Sequence, residues 1–522
     1  MAAANPAAAG RLDVTERGLR LVLIVAGVMM AALMQTLDTT ITNVALPNIQ
    51  GNLGASQDEG TWVVTAYTIA AIIVIPLTPW LQGRFGRKNY FLTSIVGFTI
   101  ASMICGSSGS LNELVAARAV QGAFGGGLLA TSQSILRDTF APKQLGLSQG
   151  IFAIGAVMGP ALGPPLGGFL VDNASWNWAF EINIVPGVLA TVILFLLLRD
   201  PDPKRSLPVD VPGVALLTVT LATLQYVLTE GERNSWFSDP VIAANGAVFV
   251  LGFVAFVAWE LFGTKTPVVD LRILGSRSVI AGTVLSMVIG IAGLGSAYTI
   301  PQLTQGPLGF SPTESGLLFL VRALPILLVT LPLVFLAARI DTRFLVAFGF
   351  LVLAISNDVL GYATTSDSSF GTFVFPLILS GIGIVTLYIP LSIAVLGTTT
   401  PEQGPKASAF MNLALQLGGS VGVAALTFFV DQREAFHSTI LGGTMTLANV
   451  NVRALTGTVL GNAGARVAEL AHLVDTQSTV LSYADSAFLI GVLCVASIPL
   501  VFLLRRPRRA APAVRKPVEI SE

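Results

Sequence analysis

Residues 155–168 read GAVMGPALGPPLGG. They lie inside a charge-free, largely apolar run from Leu147 to Val171. Gly155, Gly159, Gly163 and Gly167 recur every four residues, and Gly168 follows. On a helix that spacing makes a ridge without side chains. In lipid such a ridge lets a second backbone approach closely, and small-residue packing drives helix association. Pro160, Pro164 and Pro165 interrupt the backbone ladder. A membrane helix tolerates this where neighbours satisfy the freed groups. The run therefore predicts a kinked membrane helix with a close partner.

Composition widens this to the whole chain. Its 522 residues are 53% apolar and 11% charged. Soluble domains carry about 25% charged residues, so the chain reads as a polytopic membrane protein. The formal net charge is zero, which argues against nucleic acid as a partner. Cys105 and Cys494 both fall in apolar segments and suggest buried thiols. The first twenty residues lack the layout of a cleaved signal peptide, so the first apolar segment is expected to remain a helix.

A span needs about 20 apolar residues. Fourteen candidates result: 19–45, 60–82, 90–108, 112–136, 147–171, 179–198, 211–228, 240–262, 278–303, 314–337, 344–363, 371–396, 407–431 and 484–504. With the N-terminus in the cytoplasm, 23 of the 29 basic residues fall inside and four outside. The positive-inside rule supports that orientation and an even span count. Two basic residues, Arg118 and Arg322, remain within spans. The expected organisation is a cytoplasmic tail (1–18), a six-helix bundle (19–198) and a two-helix insert with its loops (199–277). A second six-helix bundle (278–504) follows, with an extracytoplasmic loop (432–483) and a basic tail (505–522). Attraction to anionic headgroups accounts for that tail. Two halves of this kind mark secondary transporters. The clearest echo between them is a basic turn, GRFGRK at 83–88 and RIDTR at 339–343.

Ionisable residues inside spans are costly and are read first as functional. Asp38 lies nine residues before Pro47, about 13 Å deep at the helical rise. Arg118 lies six residues after Asn112, about 9 Å deep. The two are expected to meet. An arginine and a dry environment act on an acid's proton in opposite directions. A site that alternates between them would load and release a proton. Arg322 lies eight residues after Glu314, about 12 Å deep. Glu181 and Asp358 read equally as interfacial, snorkelling acids or as coupling acids; as the latter they complete a candidate proton-coupling set gathered in one polar cavity between the halves. Gln121, Phe124, Gln133, Tyr298, Tyr388, Asn412 and Gln416 are candidate cavity residues for bulky, partly apolar cargo. Asn183, Phe152 and Phe410 could join them.

The stretches LDTTITNVALP (37–47), LVAARAVQGAFGGG (114–127), WNWAFEINIVPG (176–187), TPVVDLRILGSRS (266–278) and ALQLGGSVGVA (414–424) stand in order along the chain. Together with the glycine run they resemble the fourteen-helix drug:proton antiporter family of the EmrB/QacA type, within the major facilitator superfamily. The resemblance covers nearly the whole chain. It implies an all-α major facilitator fold of two six-helix bundles plus a two-helix insert. It also implies alternating-access efflux of small amphipathic organic compounds, driven by the proton motive force without another cofactor. It gives Asp38, Arg118 and Arg322 roles in coupling. It makes the 155–168 run the antiporter motif, expected to form a hinge or seal between the halves.

LQGRFGRK (81–88) resembles the superfamily's gate loop but carries Gly83 where the usual acid stands. The charge lock is therefore in doubt. Arg84, Arg87 and Lys88 are left to pair with lipid phosphates or the end of span 11. Leu415 likewise stands where an arginine is frequent. The resemblance implies a bacterial inner-membrane location with both termini cytoplasmic. In Gram-negative relatives it brings a periplasmic adaptor and an outer-membrane channel. The loop segment 464–488 has apolar residues at helical spacing, Val467, Leu470, Leu473 and Val474. It is expected to lie on the membrane surface, as a lid or as a docking surface. His437 and His472 fall in this loop without a ligand cluster, so no metal site is expected.

No phosphate-binding GxxxxGK[ST] run occurs, which argues against ATP as the driving force. Nothing in the chain points to an enzyme. Two rival readings remain. One is an exporter of a single endogenous compound such as a fatty acid or siderophore. The other is a transport-inactive sensor or scaffold.

Overall fold

The computed structural model describes residues 18–141, 144–199, 210–265, 267–400, 402–444 and 463–505. Most of both tails, and residues 445–462 of the extracytoplasmic loop, lie outside these. Helices α1 (Leu19–Leu53), α2 (Gln57–Phe85), α3 (Arg87–Ser107), α4 (Leu111–Gly125), α5 (Leu128–Thr139), α6 (Leu145–Asn173), α7 (Trp178–Glu181) and α8 (Ile184–Leu197) form the first half. Helices α9 (Val211–Glu230) and α10 (Pro240–Ala258) form the insert. The second half contains α11 (Arg277–Gln305), α12 (Pro312–Arg339), α13 (Thr342–Ala363), α14 (Phe370–Leu396), α15 (Gly404–Thr444) and α16 (Ala463–Val501). Among the described residues thirteen helices are long and apolar enough to cross a membrane. The remaining crossing is span 4, divided into α4 and α5.

The division has a local cause in QGAFGGG (121–127). A Cβ on Gly122 would fall 2.2 Å from the Tyr67 carbonyl oxygen, and one on Gly126 2.4 Å from that of Ala71. These glycines let α4 lie directly on the α2 backbone. The break frees amides at the start of α5. Gln35 of α1 accepts one of them, from Leu129, at 3.0 Å. A membrane helix is interrupted where protein groups can take over its hydrogen bonds.

The two halves repeat a signal that sequence reading missed. Both α2 and α12 open on a Ser-x-x-Glu capping box, Ser56 with Glu59 and Ser311 with Glu314. In each, the serine hydroxyl accepts the glutamate amide at 3.2 Å and the glutamate accepts the serine amide at 2.9 Å. Such reciprocal caps satisfy two helix-end donors. Both helices then run to a basic turn, so one end of the bundle collects the arginines and lysines. We call it the basic end.

The insert packs one-sidedly. Leu217, Leu221 and Phe256 join Ile72 and Leu77 of α2, with Leu413 and Leu417 of α15 against them. The outer face of α10 leaves Val250, Leu251, Phe253 and Val254 exposed, as a lipid-facing surface requires.

Two expectations need correction. Residues 432–444 and 463–483 are not open loop or a surface-lying helix. Span 13 continues as α15 to Thr444, and α16 begins at Ala463 and runs unbroken through span 14. Asp485 of α16 ties the pair together, accepting from Arg433 at 2.6 Å and lying 2.7 Å from His437 Nε2. His472 is exposed on the same extension. The glycine ridge of α6 faces α1 rather than the other half. A Cβ on Gly155 would meet Met29, one on Gly159 Thr36, and one on Gly163 Thr40. Gly167 lies over Ile41 and Val44, while Gly168 has open space. Pro164 and Pro165, turned another way, meet Gly316 of α12 in the second half. A four-residue repeat defines one stripe, and a stripe serves one neighbour.

Candidate functional site

Asp38 and Arg118 form a fully buried ion pair, each with no exposed side-chain surface. Arg118 Nη1 donates to Asp38 Oδ2 at 2.5 Å and to Gln121 Oε1 at 2.7 Å. Its Nε donates to the Val63 carbonyl at 3.0 Å. The guanidinium lies over the Tyr67 ring at 4.2 Å, and the Phe180 ring is 5.6 Å away. Asp38 Oδ1 accepts from Gln121 Nε2 at 2.7 Å and from Asn183 Nδ2 at 3.2 Å. Both amides also donate to Ser102, at 2.6 and 3.2 Å. One network thus joins α1, α2, α3, α4 and the start of α8. Arg118 Nη2 is left without an acceptor. A buried polar network holds its geometry, because each further lost bond is expensive.

The other ionisable residues do not gather here. Glu181 lies beside Gly106 at the end of α3, and Asp358 lies against Gly491 of α16. Arg322 is 7% exposed and reaches the Gly293 carbonyl at 3.4 Å from Nη2 and 3.5 Å from Nη1. No carboxylate pairs with it among the described residues. Gly293 has open space on its Cβ side. Asp38 and Arg118 thus share one place, and Glu181, Asp358 and Arg322 each occupy another. Depth along a helix is legible in sequence; the direction each residue faces around it is not.

The candidate cavity residues also separate. Gln121 belongs to the Asp38 network. Phe124 packs on Gly97. Tyr388 is paired with Phe152 across the halves, with ring centroids 6.1 Å apart. Tyr298 is 40% exposed, and Gln416 is half-buried. Gln133 and Asn412 form a bridge between the halves. Asn412 Nδ2 of α15 donates to Gln133 Oε1 of α5 at 3.1 Å, and Gln133 Nε2 donates to Gln149 Oε1 of α6 at 3.0 Å.

A second bridge lies at the basic end. Arg137 Nη2 of α5 donates to the carbonyls of Leu396 and Thr399 at the end of α14, at 3.1 and 3.2 Å. Both carbonyls stand at the C-terminal end of α14, where a cation is favoured. The neighbouring Asp138 forms an ion pair with Arg87 of the gate loop. Arg87 therefore pairs within its own half, not with lipid or the end of span 11. Lys88 donates to the Phe195 carbonyl at 2.7 Å, and Arg84 is also engaged. Asp138 supplies the acid that Gly83 cannot. The sequence signal was the dipeptide Arg137-Asp138 at the end of span 4.

Arg137→Ala is expected to loosen this end. A hydrogen bond to a charged group contributes about 1.5–3 kcal/mol, so its loss should raise the open fraction at that end about tenfold or more. Cysteine accessibility at Thr399, with and without the substitution, measures this.

Paired bundles, an insert, buried charges and bridges at one end define a membrane transporter. The model of the Major Facilitator Superfamily matches residues 28–304 and 294–519. The multidrug export protein EmrB of Escherichia coli K12 is 33% identical over 84% of this chain and 86% of its own. The fatty acid resistance protein FarB of Neisseria gonorrhoeae is 32% identical over 92% of this chain and 95% of its own. The human organic anion transporter MFSD10 shares the fold, with a TM-score of 0.59 at 18% identity over 92% of this chain and all of its own. The chain belongs to the major facilitator superfamily, in its EmrB-type branch, a class of transport proteins rather than enzymes.

Proposed function

We propose that the protein exports small amphipathic organic compounds in exchange for protons by alternating access. The observation that carries coupling is the sealed Asp38–Arg118 pair. A proton arriving at Asp38 competes with Arg118 for the same oxygen. Loading it releases Arg118 and loosens α1 from α4 and α2. Unloading it restores the network. The multidrug export name of the relatives matched over most of the chain supports the cargo class. The protein sits in the bacterial inner membrane with the basic end in the cytoplasm, as the bias of arginine and lysine favours. Asn412–Gln133 and Arg137–Thr399 then belong to the cytoplasmic gate. Glu181 and Asp358 are secondary proton carriers in this proposal. The α15–α16 extension leaves Phe436, Ile440 and Leu473 exposed, which suits a periplasmic adaptor and through it an outer-membrane channel.

Energised everted vesicles test the reading. They should accumulate a lipophilic dye in a way that a protonophore abolishes. Accumulation that survives the protonophore, or that needs ATP, would contradict it.

Arg322 favours anionic cargo within this class. It is a buried cation with no carboxylate paired to it among the described residues, beside open space at Gly293. The fatty acid resistance name of one relative agrees. Arg322→Gln should reduce export of an organic anion about tenfold, because a charged hydrogen bond is worth about 1.5–3 kcal/mol. A neutral dye should be far less affected. Parallel uptake assays with the two compounds decide; equal losses would remove the charge assignment.

A further inference from the structure

The insert carries a buried acid that the transport mechanism does not use. Glu260 sits in a π-helical turn, Trp259–Gly263, at the basic end of α10. It is 2% exposed, and neither carboxyl oxygen has a hydrogen-bond partner of ordinary geometry. The backbone amides of Val268 and Val269 are its nearest donors and approach it outside ordinary hydrogen-bond geometry. Asp210, the N-cap of α9, is 7% exposed and lies beside it. A Cβ on Gly213 would fall 2.7 Å from Asp210 Oδ2 and 2.9 Å from Glu260 Oε1, so both oxygens flank one point. Asp210 has its own donors. Gly213 N donates to Oδ1 at 3.1 Å, and Trp259 Nε1 reaches Oδ1 at 2.9 Å and Oδ2 at 3.1 Å. The adjacent residues Trp259 and Glu260 thus face the same acid. A regular helix turns neighbours about 100° apart; π turns recur at functional sites.

Among the described residues no cation acts on Glu260. Asp270, on the segment leading to the second half, adds negative charge and is itself paired with Lys406 at 2.7 Å. The α2 side of this region is apolar, with Leu77, Trp80 and Leu81. An ionised carboxylate with only two loosely placed backbone amides is disfavoured in such a place, and two carboxylates sharing a site do not both ionise.

We infer that Glu260 and Asp210 are a proton-binding carboxyl pair, a site separate from Asp38. Glu260 holds the proton and presents it to Asp210, whose charge is stabilised by Trp259 and the α9 amide. The pair lies between the insert and the Asp270–Lys406 link to α15. Its proton thereby ties the insert to a helix of the gate.

Infrared spectroscopy of the purified full chain in lipid nanodiscs tests this without any transport assay. Wild type at neutral pH should show a protonated-carboxyl stretch equal to one group per chain that Glu260→Gln lacks. In Asp210→Asn the same stretch should persist at a shifted frequency, because its acceptor has changed. This second variant and a pH titration of wild type keep the test open if Glu260→Gln folds poorly. Identical spectra for wild type and Glu260→Gln would overturn the assignment. So would a Glu260 stretch unmoved in Asp210→Asn. A stretch that appears in wild type only after potassium or magnesium is removed would make the pair a metal-cation site and overturn it equally.

Discussion

Asp38→Asn is expected to abolish proton-driven export. Two effects act together. The substitution removes the proton acceptor and also strands Arg118, which has no exposed surface. Breaking a buried pair from one side costs about 3–5 kcal/mol. Arg118 would keep the Val63 carbonyl and Gln121, with Nη2 still unpartnered. A lower melting temperature should therefore accompany the lost transport. Asp38→Asn combined with Arg118→Gln separates the effects. Neutralising both partners should recover most of the stability, because replacing a whole buried pair is often neutral. It should recover none of the coupling. A double-mutant cycle on melting temperature gives the pair's interaction energy. Recovery of proton-driven export in the double variant would assign Asp38 a purely structural role.

Gly159→Leu is the second large effect. A Cβ alone would fall 2.0 Å from Thr36 Oγ1 and 2.6 Å from the Thr36 carbonyl carbon. The obstacle includes backbone, so side-chain rotation cannot relieve it. Overpacking costs about 1–3 kcal/mol per site and rises when the backbone must move. Here α1 must retreat from α6, and Asp38 lies two residues beyond Thr36. The variant should lose folded yield severalfold and shift Asp38 from its partners. Gly168→Leu is the matched control. Its Cβ direction is open, so yield and melting temperature should stay near wild type. Gel-filtration profiles and melting curves of the two variants measure the difference. Equal behaviour would mean that α6 does not need its glycine ridge.

The fold was legible because lipid imposes strong rules. Span length, charge bias and small-residue spacing each reflect one solvent constraint. Span 4 was harder. Its break at Gly126–Gly127 depends on Gln35 of another helix, and no window of local sequence contains that acceptor. The Asp38–Arg118 encounter could be anticipated from depth, since both lie in the same half of the membrane. Depth placed Glu181, Asp358 and Arg322 in the same layer too, yet they face different helices. Hydrophobic segments give poor rotational signals, because lipid-facing and core-facing residues are alike apolar. The Gln149–Gln133–Asn412 chain and the Arg137 bridge were hidden for another reason. Their partners lie in opposite halves of the chain and meet only through packing of the bundles. The glycine repeat marks a close-approach surface, and α1 of the same half fills it. Nothing in a four-residue repeat names the helix it meets.

The most direct test uses purified protein in liposomes with a pH-sensitive dye inside and an imposed pH gradient. Adding an organic substrate should make wild type carry protons against substrate flow, in fixed proportion to the substrate moved. Asp38→Asn should carry neither. Substrate flux without proton flux in wild type, or coupled flux in Asp38→Asn equal to wild type, would contradict the account.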